Sequence, residues 1–97
     1  MAQISAARRQ QWLEQLDVTL RGRGMDAAAQ VALQALAEGV EHPAVLNLAA
    51  QAHHGEGRVS EAIKLLKRGR SLAPKDPHIL NTLGACLSAL GQHDEAL

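Results

Sequence analysis

The sequence contains no tyrosine, no phenylalanine and a single tryptophan, Trp12, so aromatics make up 1% of its 97 residues. With 46% of residues hydrophobic, the core has to be built from Leu, Ala, Val and Ile. Small aliphatic side chains let helix axes approach closely and favour helix packing over an aromatic-rich β-sandwich. One cysteine, Cys86, excludes an internal disulfide and with it a stapled secreted mini-protein. An excess of either charge is missing too: ten basic and ten acidic residues give a net charge of zero and a pI near 7.0. That balance excludes the strongly basic surface of a dedicated nucleic-acid binder. No run approaches the ~20 apolar residues of a membrane span. The richest, Ala27 to Val40, is interrupted by Gln30, Gln34 and Glu38. No apolar segment with a cleavage site follows Arg8 and Arg9, so no secretory signal is read. A cytoplasmic protein that engages neither membrane nor nucleic acid is expected, as a single domain over residues 1–97.

What the sequence does have is a repeat. The string HPAVLNLAA at 42–50 matches DPHILNTLG at 76–84. An offset of 34 residues pairs Pro43 with Pro77, Leu46 with Leu80, Asn47 with Asn81, Gly57 with Gly91 and Glu61 with Glu95. The same offset aligns Ala28, Ala62 and Ala96, and likewise Asp26, Ser60 and Asp94. A fixed period of this length marks a stack of supersecondary units. Pro43 and Pro77 suit the first turn of a helix, where a missing N–H costs nothing, and Asp76 suits the N-cap before Pro77. Asp26, Ser60 and Asp94 are read as N-caps of the second helices. Gly24, Gly57 and Gly91 are read as the turns within each pair. Six helices are predicted, near 4–21, 26–38, 43–55, 60–72, 77–90 and from 94 onward. Ala50 and Gly84 on first helices are expected to face Ala62 and Ala96 on second helices.

These residues resemble the tetratricopeptide repeat, a 34-residue helix–turn–helix unit. The second repeat carries the resemblance through Leu46, Ala49, Ala50, Gly57, Ala62, Leu66 and Pro74, and the third through Leu80, Leu83, Gly84, Leu87, Gly91 and Ala96. The first repeat contributes Trp12, Ala28 and Ala35 but departs at Leu16, Thr19 and Val40. The resemblance implies an all-α, right-handed α-solenoid of antiparallel helix pairs, with an atypical repeat at 9–42, a full repeat at 43–76 and an incomplete one at 77–97. The incomplete repeat is expected to leave Leu83, Leu87, Leu90 and Leu97 uncovered. The chain is accordingly expected to form the N-terminal repeats of a longer bacterial-type protein, or to hide that face by homo-oligomerisation.

The resemblance further implies a protein–protein interaction scaffold whose concave groove is lined by the first helix of each pair. Its groove residues fall here on Asp17, Asn47, Gln51, His54, His78 and Asn81, and its partner would be a polypeptide or the protein's own downstream domain. The carboxamides of Asn47, Gln51 and Asn81 can both donate to and accept from a peptide backbone. Family members that clamp a terminal carboxylate place cationic and amide groups where this chain has Leu13, Asp17, Leu48, His78 and Thr82, so that activity is not expected. The alternative is an accessory domain of a larger enzyme, since LNLAA and LNTLGACLSALGQHDEAL look similar to repeats that precede sulfotransferase-like or aspartyl/asparaginyl hydroxylase-like domains. No enzymatic residue, cofactor or metal is expected within the segment, which contains no HExxH, CxxC, P-loop or GxGxxG. Cys86 is read as a small core residue. Adjacent His53 and His54 point about 100° apart on a helix and make a poor metal pair, so His53 is read as a packing imidazole, as is His93. Lys64, Lys67, Arg68 and Arg70 are read as a solvated outer face.

Overall fold

The computed structural model describes residues 4–95, with side chains as far as Gly91. Its elements are five helices: α1 (Ala6–Arg23), α2 (Met25–Ala37), α3 (Pro43–Gly55), α4 (Val59–Leu72) and α5 (Pro77–Glu95). No strand occurs among the described residues. The helices stack in chain order into a body of 47 × 29 × 25 Å. α1 packs on α2, α2 on α3, α3 on α4 and α4 on α5, while α3 also touches α5.

Helix starts are fixed by polar side chains at three places. Ser5 caps α1, its Oγ accepting from the Arg8 N–H at 3.1 Å. Asp76 caps α5, Oδ1 accepting from the N–H groups of His78 at 2.9 Å and Ile79 at 3.4 Å. His42 caps α3, Nδ1 accepting from the Ala44 N–H at 3.1 Å just before Pro43. The ends of α2 and α3 are set by glycine. At Gly39 (φ 97°) the N–H donates to Leu36 O, and the next N–H, from the fully buried Val40, reaches Ala35 O. Gly57 (φ 81°) repeats the arrangement, with its own N–H on His54 O and the Arg58 N–H on His53 O. These bonds satisfy the last carbonyls of α2 and α3, and the left-handed backbone they require suits glycine. Gly24 (φ 91°, ψ −178°) alone joins α1 to α2.

The core follows from alanine. Ala28, Ala32 and Ala35 of α2, Ala49 and Ala50 of α3, and Ala62 of α4 are all fully buried. Around these small contacts Leu46, Leu66 and Ile79 are closed off completely, each worth roughly 1.5–3 kcal/mol by transfer. Gly69 brings α4 onto α5: a Cβ added there would sit 2.8 Å from Ile79 Cδ1 and 3.6 Å from Leu46 Cβ. Trp12 and Leu16 bury the inner face of α1. Arg8 lies over the Trp12 ring, 5.0 Å from its centroid, and grips Glu38 through two 3.0 Å bonds. Arg8 holds the Glu38 carboxyl below its usual range, with the Trp12 indole dipole adding to the effect. The indole N–H itself has no partner at hydrogen-bond geometry.

Several expectations need correcting. Asp26 and Ser60 are not N-caps: Gly24 and Arg58 hold those places, so both side chains fall inside the first turns of α2 and α4. The chain turns back abruptly at each point, and the helical ladder begins as soon as the joint ends. Gly91 is not a turn, and no separate helix starts at 94, because α5 runs on to Glu95. No second helix returns onto α5 within the described residues, so continuing the ladder satisfies the backbone there. The packing expected of His93, Ala96 and Leu97 lies outside the side chains described. Leu83 is 5% exposed rather than uncovered, and Leu90 packs partly against the core. Leu87 is open at 48%, joined by Leu80 at 43%. Cys86 is fully buried and His53 half-buried, and Lys64, Lys67, Arg68 and Arg70 are exposed.

The α3 cap is a titratable device. Burial, and secondarily the charge of Arg9, lower the His42 pKa, with Asp76 opposing them. A folded-state pKa below the unfolded value means that the unfolded chain takes up the proton first. The stabilisation is therefore complete above about pH 6.5 and lost as pH falls through the folded pKa. Thermal unfolding between pH 7.5 and pH 5 is expected to show a larger loss for the wild type than for His42→Asn, which keeps a capping acceptor without titrating.

Candidate groove

The groove starts from the capped end of α3. His42 and Pro43 fix where this helix begins, and Ala44, Asn47, Leu48 and Gln51 then fall on one stripe of it. The single-residue joint at Gly24 brings Leu20 and Met25, 39% and 53% exposed, beside that stripe. The capped start of α5 supplies Asp76 and His78 from the other side. Together with Pro43 and Ala44, these residues enclose a recess of about 360 Å³ spanning α1, α3 and the start of α5. A second recess of about 300 Å³ shares Met25 and Gln51 with the first. Ala29, Gln30, Ala52 and Gly55 line it, with Asp26 and Glu56 as its charged residues.

Asn47 is the unusual member. Only 8% of it is exposed, and Oδ1 is buried without a hydrogen-bond partner. A buried amide oxygen left unpaired costs about 1–3 kcal/mol, and a native one calls for an explanation such as an absent ligand or water. Neighbouring Leu48 is 6% exposed, so the stripe is apolar apart from its carboxamides.

Of the six expected groove residues, the structure brings together Asn47, Gln51 and His78. Asp17, His54 and Asn81 line neither recess. Asp17 pairs with Arg21 one turn along α1. His54 is exposed near the end of α3, and Asn81 is exposed on α5 because no further first helix flanks it among the described residues. Leu20 and Met25 are absent from the expected set because they sit at a joint, where helical periodicity carries no signal. Asp76 is legible as a cap, and its second position at the groove edge emerges only when α5 is laid beside α3.

Other candidates resolve simply. Burial pushes the Cys86 thiol up, away from a reactive thiolate. The basic residues of α4 face solvent, Lys64 lying 3.6 Å from Glu61 and Arg68 pairing with Glu41. Among the described residues no group of three or more His, Cys, Asp or Glu is placed to hold a metal ion, and no helix is long and apolar enough to cross a membrane.

An unpaired amide oxygen is a cost to the free protein, as are the unpartnered Trp12 Nε1 and His53 Nδ1 outside the recesses. Asn47→Leu, close in shape and without the unpaired oxygen, is expected to raise the stability of the free protein by about 1 kcal/mol in urea unfolding. A destabilised variant would show that the carboxamide is satisfied as it stands.

A family model described as tetratricopeptide repeat matches the chain twice, over residues 24–82 and 53–97. No curated protein and no solved structure shows a significant match. The two overlapping matches take in α2 to α5, the 34-residue period runs through them, and the helices pack in the order that period requires. The chain belongs to the tetratricopeptide repeat family.

Proposed function

We propose that this chain is a protein-interaction module that holds a segment of a partner polypeptide in the groove between α1, α3 and α5. The observation that carries the reading is the recess of Leu20, Met25, Asn47, Leu48, Gln51, Asp76 and His78, apolar in its walls with a few convergent polar groups. Membership of a family whose repeats generally serve protein interaction agrees with it. A photo-crosslinking residue placed at Met25 is expected to capture polypeptide in cells, whereas the same residue at Arg70 on the outer face of α4 captures little. Equal yields from the two positions would contradict the reading.

A second reading, self-association, rests on α5. Leu80 and Leu87 are exposed, and nothing lies within 4 Å of the place a Cβ would take on Gly84 between them. From Pro77 to Gly91 the helix carries no Asp, Glu, Lys or Arg, so two copies could meet there without like-charge repulsion. If they do, light scattering will show the mass rising from 10.3 kDa towards twice that value with concentration, and Leu87→Lys will abolish the rise. A constant monomer mass ends this reading.

A further inference from the structure

The charges are unevenly placed around the two recesses. Lys64, Lys67, Arg68 and Arg70 lie exposed along α4, and none of them lines either recess. The formally charged residues that do line the recesses are Asp26, Glu56 and Asp76, all acidic. Glu56 is engaged by Arg58. Asp26 has no ion-pair partner among those described, and Asp76 uses Oδ1 on the start of α5. Lys75, next to Asp76 in sequence, is exposed and outside the lining.

These anions border an apolar concavity that Asn47 helps to line. Leu20, Met25, Pro43 and Leu48 supply a wall that suits an aliphatic side chain. Asn47, nine-tenths buried with Oδ1 unpartnered, supplies an acceptor that only a donor can satisfy. The two recesses share Met25 and Gln51, so one extended chain can cross both, passing Asp76 on one side and Asp26 on the other.

We propose that the groove selects an extended polypeptide segment in which an aliphatic residue is flanked by basic residues. The aliphatic group enters between Leu20, Met25 and Leu48, and the flanking cations meet Asp76 and Asp26. This rests on the reading of the groove as a polypeptide site and adds which polypeptides it takes. Complementary charge raises the rate of encounter and excludes acidic competitors, both in a salt-dependent way.

The test titrates the isotope-labelled 97-residue protein with four capped heptapeptides, followed by amide chemical shifts. The probes are Ser-Lys-Ser-Leu-Ser-Lys-Ser, the same peptide with Glu for Lys, with Ser for Lys, and with Ser for Leu. In low salt the Lys–Leu peptide is expected to bind at least tenfold more tightly than the Glu peptide, shifting amides around Met25, Leu48, Gln51 and Asp76. The preference is expected to shrink in high salt and in Asp26→Asn. It should shrink further in Asp26→Asn combined with Asp76→Asn, where Asn keeps the capping acceptor of α5. Equal affinities for the Lys, Glu and Ser versions, with shifts still in the groove, would overturn the charge inference and leave the groove reading standing. Equal binding of the peptide lacking Leu would overturn the aliphatic anchor. Shifts confined to α4 or α5, or no shifts with any probe, would overturn the groove reading itself.

Discussion

The close approach of α3 to its neighbours is the contact on which the rest of the structure depends. Six consecutive residues of that helix, Val45 to Ala50, are buried, which one face of a helix cannot achieve. It happens because α2, α4 and α5 all lie against α3. Ala49, Ala50 and Ala62, with Gly69 where α4 reaches α5, keep those helices near enough to exclude water. With one aromatic residue in the chain, no bulky side chain could bridge a wider gap, so the protein is held together by proximity. The outer helices depend on this arrangement. α1 rests on α2 through Trp12 and Leu16, and α5 presses Ile79 into α4.

The groove comes from the same constraint. A central helix packed on several sides still shows one narrow stripe to solvent, and that stripe carries Asn47, Leu48 and Gln51. An apolar residue in place of Asn47 would serve packing better, yet the chain keeps an amide with an unpaired oxygen. Local rules of stability are broken at this one point of the stripe, next to exposed Met25 and Leu20. A binding surface is where such departures are expected. The formally charged residues that line the recesses are carboxylates, Asp26, Glu56 and Asp76, the second of them paired with Arg58.

Much of the fold was legible because the residues that set it act locally. Pro43, Pro77 and Asp76 announce helix starts, Gly57 announces an end, and the alanines at an offset of 34 announce the pair contacts. The resemblance to the tetratricopeptide repeat carried the architecture. Along α5 the pattern and the structure part because a sequence pattern specifies a unit only when its packing partner is present. Gly91 repeats Gly57 in sequence but not in structure, since within the described residues no helix turns back on α5. Asn81 repeats Asn47 in sequence and is exposed, no further first helix flanking it among the described residues. His42 carries no cap signal in the sequence because histidine is seldom one, and Leu20 and Met25 carry no groove signal because a joint between helices has no periodicity.

Amide hydrogen exchange measures most directly whether α3 is the keystone. If the outer helices depend on it, the N–H groups of Leu46 to Gln51 will exchange last, through global unfolding, while α1 and α5 exchange earlier through local opening. Slower exchange in α1 or α5 than in α3 would contradict that picture and place the organising contact elsewhere in the stack.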